Sequence, residues 1–116
     1  VEGRPLYEQE EIRVPCVTLD FARHMFEFPD PDILWMDLQG AELQAIHGMG
    51  EMRPKIIHTE LHVKSAYKGQ CLYPEASEAI KAMGYVELNN SHLLDVEWLF
   101  DDFDFVRKDV WDGSSK

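Results

Sequence analysis

Asp37 is the residue whose type and position most invite chemistry, and His58, Glu60 and His62 are a second group of side chains able to exchange protons. Asp37 closes the run Ile33-Leu34-Trp35-Met36, and a short loop with Gly40 then leads into an apolar pattern of helical spacing at Leu43, Ile46 and Met49. Four apolar residues in a row predict a strand buried on both faces, the habit of parallel sheets. A carboxylate at the carboxyl end of such a strand faces the crevice where open α/β sheets bind ligands. The same position also suits an acid that caps the following helix. Glu42 falls in the first turn of that helix, where an acid favours the positive helix end, so helix stabilisation and substrate contact both fit it. Gln39 suits hydrogen bonding to a ligand or to exposed backbone.

His58, Glu60 and His62 alternate with Ile57, Thr59 and Leu61 and so project from one face of a second strand. Two imidazoles and a carboxylate are metal-ligand types. Residues i and i+2 stand about 7 Å apart, long for shared coordination without a third element. Pairing of His58 with Glu60, or with helix residues beneath, is the structural alternative, and no metal is expected. Beside Asp37 on a neighbouring strand, Glu60 and His62 could instead activate a hydroxyl. Tyr67, Lys68 and Gln70 lie in the loop that follows, where substrate contact and an ordinary polar loop are both open readings. Asp95, Glu97, Asp101, Asp102 and Asp104 lack the glycine and spacing of a calcium loop and read as a solvated edge.

Several elements must position these groups. Ile12 to Leu19 reads as a strand, with Pro15 arguing for an edge or hairpin position. Thr18 or Asp20 can cap a short helix ending near Phe26, and Pro29-Asp30-Pro31-Asp32 is a turn. A strand over Ile33 to Asp37 precedes a helix from about Ala41 to Gly48, and Lys55 to His62 forms the next strand. Pro74 at a first helical position and Gly84 at the end bound a second helix. Tyr85 to Leu88 is a strand, Asn89-Asn90-Ser91 a turn, and Trp98 to Phe100 and Phe103 to Arg107 are the last extended segments. Strands that alternate with helices predict an α/β layer fold, mostly parallel, whose two terminal strands pair antiparallel. Trp35, Trp98 and Trp111 read as core or interface residues. All 116 residues read as one domain, with a disordered tail over 112–116.

The composition is 45% hydrophobic and 11% aromatic, which is globular, and the net charge is −11. That charge repels phosphate backbones and anionic membrane surfaces, so no nucleic acid or membrane partner is expected. No apolar run approaches the roughly 18 residues of a membrane span. Cys16 and Cys71 form no CxxC motif and suit buried free thiols in a reducing, cytoplasmic setting.

Five blocks, in order, carry a family resemblance: Thr18-Leu19-Asp20, Trp35-Met36-Asp37-Leu38-Gln39-Gly40-Ala41-Glu42, His58-Thr59-Glu60, Gly84-Tyr85, and Phe105-Val106-Arg107-Lys108. Together they resemble the carboxyl-terminal half of FkbM-family methyltransferases, over roughly residues 12 to 108. The resemblance implies part of a Rossmann-like, class I methyltransferase sheet and S-adenosylmethionine as methyl donor. It also implies O-methylation of a hydroxyl on a sugar or other small molecule. Under it, Asp37, Glu60 and His62 are the catalytic candidates, Asp37 and Gln39 the cofactor contacts, and Glu42 and Tyr67 the substrate contacts. Such enzymes grip their cofactor through a glycine-rich turn after the first strand and an acid after the second. Gly3 is the sole glycine before Gly40, so the chain reads as a fragment or reduced form without the cofactor half. The rival reading is a non-catalytic interaction module. In either case the Ile33–Met36 strand is expected at an edge of the sheet, covered by the Ile12–Leu19 segment or by a second copy in a two-fold dimer.

Overall fold

In the computed structural model, residues 10–64, 70–88 and 100–111 are described. The elements run α1 (Leu19–Phe26), β1 (Ile33–Met36), α2 (Glu42–His47), β2 (Ile56–His62), α3 (Tyr73–Ala82), β3 (Tyr85–Leu88) and β4 (Phe100–Arg107). They form one four-stranded sheet in the order β1-β2-β4-β3. β1 and β2 are parallel, and β4 runs antiparallel to both β2 and β3. The chain is thus an α/β domain, but its sheet is mixed rather than mostly parallel as expected, because β4 inserts antiparallel between β2 and β3 and makes two of the three pairings.

Local chemistry explains the boundaries. The Thr18 hydroxyl accepts from the Phe21 amide at 3.0 Å and caps α1, which ends where Glu27 turns left-handed at φ 53°. Pro74 occupies the first turn of α3, where its missing N–H costs nothing. Gly84, at φ +98°, makes the sharp passage from α3 into β3 that a side-chain-bearing residue resists.

The core lies on one face of the sheet. Met36, Ile57, Thr59, Leu61, Phe103, Phe105 and Tyr85 turn toward α2 and α3 and meet Ile46, Ala76 and Ile80. The Tyr85 hydroxyl donates to the Pro54 carbonyl. On the same side Glu87 accepts from the Tyr73 hydroxyl and from Ser77 Oγ, each at 2.8 Å, tying α3 to β3. The half-buried Tyr73 phenol is held above its ordinary range chiefly by desolvation.

The other face carries no helix among the described residues, which corrects the expectation that β1 is buried on both faces. Ile33 is 56% and Trp35 71% exposed. An unbroken apolar run shows that a strand is wanted inside, not that both sides are covered. Trp35 is accordingly no core residue. Residues 10–18 form no strand, contrary to the reading of Ile12–Leu19. Instead the Asp20 amide donates to the Gly48 carbonyl at 2.9 Å, docking this segment against the end of α2 rather than beside β1. β1 is therefore an edge strand, as expected, and the amino-terminal segment does not pair with it. Phe100, the last residue of the first expected end segment, and the expected Phe103–Arg107 strand fall in one strand, β4, and it lies inside the sheet. Asp102 and Asp104 therefore belong to an inner strand rather than an edge, although their side chains face solvent as expected. Cys71 is buried but Cys16 is exposed, against the reading of both as buried thiols. The expected Asn89–Ser91 turn, most of the Trp98–Phe100 segment and the 112–116 tail lie outside the described residues.

Candidate functional site

Strand register assembles the site. On the uncovered face Trp35 aligns with His58, and His58 with Asp104. Two residues further along, Glu60 aligns with Asp102 on β4, and Asp37, which follows the last registered pair Met36–Thr59, lies close enough for its charge to act on Glu60. Two cross-sheet rows result, Trp35–His58–Asp104 and Asp37–Glu60–Asp102. The second sits at the carboxyl ends of the two parallel strands, where open α/β sheets place their ligands.

In the first row, His58 Nδ1 is 2.7 Å from Asp104 Oδ1, and its Nε2 faces Asp102 Oδ1 at 3.7 Å. An ionised carboxylate only accepts, so Nδ1–H is the donor to Asp104. Trp35 stacks on the imidazole with ring centroids 3.9 Å apart and planes inclined by 28°. His58 is thus fixed by neighbours on both flanking strands, not by Glu60 or by a helix beneath.

The second row crowds like charges. Partial burial pushes the Glu60 carboxyl above its ordinary value, the charges of Asp37 and then Asp102 push it the same way, His62 opposes, and Glu42 adds a little. Asp37 is exposed at the end of β1, and its Oδ1 accepts from Gln39 Nε2 at 3.4 Å. His62 is buried, 7% exposed, at the end of β2, where its backbone bridges Leu72. Asp37, Glu60 and His62 therefore share one neighbourhood.

Glu42 is directed elsewhere. It is 2% exposed, and its two oxygens accept from the backbone amides of Leu38, at 2.8 Å, and Gly40, at 3.1 Å. Gln39 is exposed in a left-handed conformation at φ 56°. Tyr67 and Lys68 lie outside the described residues. Among the described residues no three His, Cys, Asp or Glu side chains are grouped to hold a metal ion, and no helix is long and apolar enough to cross a membrane. Asp102 is the member that sequence reading missed. Its alternation with Phe103 and Phe105 was visible, but its neighbour Glu60 lies 42 positions away and is found only through the register.

The class defined here is an α/β domain with a cluster of acidic side chains at the carboxyl ends of its parallel strands. A family model, the methyltransferase FkbM domain, matches residues 3–107. The chain belongs to the FkbM methyltransferase family. No curated protein and no solved structure matches it.

Membership implies dependence on S-adenosylmethionine in general. The described residues do not supply a site for that group by themselves. Between residue 10 and β1 there is no glycine and no strand, only an extended segment and α1, so nothing described supplies a backbone cradle for a nucleoside.

Proposed function

We propose that this chain supplies the acceptor side of an O-methyl transfer, holding a substrate hydroxyl at the Asp37–Glu60–Asp102 row. The strand order is read as the back part of a Rossmann-like sheet, and the open edge of β1 and the bare face beside it support a fragment or reduced form. The observation that carries the proposal is Glu60, whose proton affinity is raised by burial and by carboxylates on both flanking strands. A carboxylate so placed takes up the hydroxyl proton more readily than an ordinary glutamate. Asp37, at the strand end, orients the hydroxyl by accepting from it. His62, close enough to influence Glu60, is placed to receive the proton in turn. A small polyol or sugar is the acceptor class the family favours. S-Adenosylmethionine, once bound, would supply the methyl group.

The test has two arms. Calorimetry on the 116 residues should show no stoichiometric, low-micromolar binding of S-adenosylmethionine; such binding would overturn the reading of a missing cofactor half. Joined to an upstream segment carrying a strand and a glycine-rich turn, the chain should pass labelled methyl groups from S-adenosylmethionine to sugar hydroxyls. Failure across a broad acceptor panel, with the cofactor demonstrably bound, would overturn the acceptor-side reading.

Among the described residues no strand pairs with the outer edge of β1, which favours a second reading, a non-catalytic module that pairs β1 with β1 of a second copy about a two-fold axis. Ile33, Trp35 and Ile56 are all exposed beside that edge. Light scattering at tens of micromolar separates the two, a dimer supporting this reading and a strict monomer removing it.

A further inference from the structure

We infer that Glu42 is a positioning residue: it locks the loop after β1 so that Asp37 stands beside Glu60. The inference rests on the acceptor-side reading above. The loop is unusual in its backbone. Gln39 at φ 56° and Gly40 at φ +107° are consecutive residues with positive φ, and only the second is glycine. Such a conformation persists where its surroundings hold it. Two holds are visible. From within α2, Glu42 reaches back so that each carboxylate oxygen accepts one loop amide, Leu38 at 2.8 Å and Gly40 at 3.1 Å. From the other side, the Gly40 carbonyl accepts from the Cys71 amide at 3.0 Å, joining the loop to the chain that enters α3.

The fit at Gly40 is close. A Cβ there would stand 2.7 Å from Gln70 Cγ, so this position excludes a side chain on grounds of space as well as φ. Asp37 lies between the last residue of β1 and this locked loop, and Gln39 bonds back to it. The direction of the Asp37 carboxylate is therefore set at one end by β1 and at the other by the Glu42 clamp. At 2% exposure Glu42 cannot meet a substrate while the loop stays closed. Its charge is spent on backbone amides, which an uncharged isostere cannot reproduce. Glutamine offers one accepting oxygen, and its NH₂ group would face an N–H.

The experiment is nuclear magnetic resonance on the whole 116-residue chain, reading amide exchange at Leu38 and Gly40 and the titration midpoint of Glu60. Glu42 itself acts weakly on Glu60, so the useful quantity is a double-mutant difference: the shift that Asp37→Asn causes at Glu60, with and without the clamp. In Glu42→Gln the two amides should exchange roughly tenfold faster or more. The Asp37-dependent shift of Glu60 should fall to about half or less of its original size, the account's own expectation for a loop released from its hold. Gly40→Ala leaves every charge in place and should shrink that shift as well. Unchanged exchange and an undiminished shift in both variants would overturn the inference. If the parent chain shows no Asp37-dependent shift at all, the acceptor-side reading fails instead, and the exchange rates still decide whether Glu42 holds the loop.

Discussion

Glu60→Gln is expected to slow methyl transfer by roughly 10²- to 10⁴-fold in any methyl-transferring form of the protein, the usual contribution of a positioned proton acceptor. The same change should stabilise the fold at neutral pH. These opposite signs follow from one cause. Burial, then the charges of Asp37 and Asp102, hold the Glu60 proton more tightly in the folded chain than in the unfolded one. An acid whose folded pKa is raised contributes stability that is fully present below its unfolded value, ordinarily 4.5, and is lost as pH rises through the folded value. Glu60 therefore opposes folding at pH 7. Thermal midpoints of the parent should climb as pH is lowered from neutral toward 4.5, while Glu60→Gln should lose part of that climb and start higher. A glutamine variant less stable than the parent at pH 7 would contradict this electrostatic picture, whatever its activity.

The second large effect is structural. Phe105→Ala should destabilise the chain by about 3–5 kcal/mol, the cost of removing a fully buried aromatic ring. Phe105 is 0% exposed on the inner strand β4, aligned with Ile57 on one side and Glu87 on the other. Domains of this size hold about 5–15 kcal/mol in total. The thermal midpoint should fall by roughly 10–25 °C. A drop below about 5 °C would mean that the core does not centre on β4, because so small a change leaves no room for a lost ring. Trp35→Ala supplies the contrast, since its indole is 71% exposed and rests mainly on His58.

Much of this arrangement is legible along the chain wherever local chemistry decides it. Pro74 and Gly84 bracket α3, and the apolar run before Asp37 marks β1, which ends one residue short of the strand expected over Ile33 to Asp37. Tyr85–Leu88 likewise matches its reading. The failures share a non-local cause. Ile12, Val14, Val17 and Leu19 have the look of a strand, but a strand exists only where another offers its backbone, and Thr18 caps a helix instead. The coverage of β1 depends on which helices pack where, and α2 and α3 both cover one side. His58 finds Asp104 through a register between strands 46 positions apart. The candidate site divides in the same way. Asp37 and Glu60 are visible as acids at or near the ends of parallel strands, and the family implies S-adenosylmethionine in general. Asp102 and the inward turn of Glu42 appear only once the strands are aligned and the loop is closed.

The family assignment gives the class of chemistry, and the Asp37–Glu60 pairing is the part that belongs to this chain. Its most direct test is a magnetic resonance titration of the Glu60 side-chain carboxyl in the intact chain and in Asp37→Asn. The midpoint should lie above 4.5 in the parent and move back toward 4.5 when the Asp37 charge is removed. A parent midpoint at or below 4.5, or one that Asp37→Asn leaves in place, would contradict it.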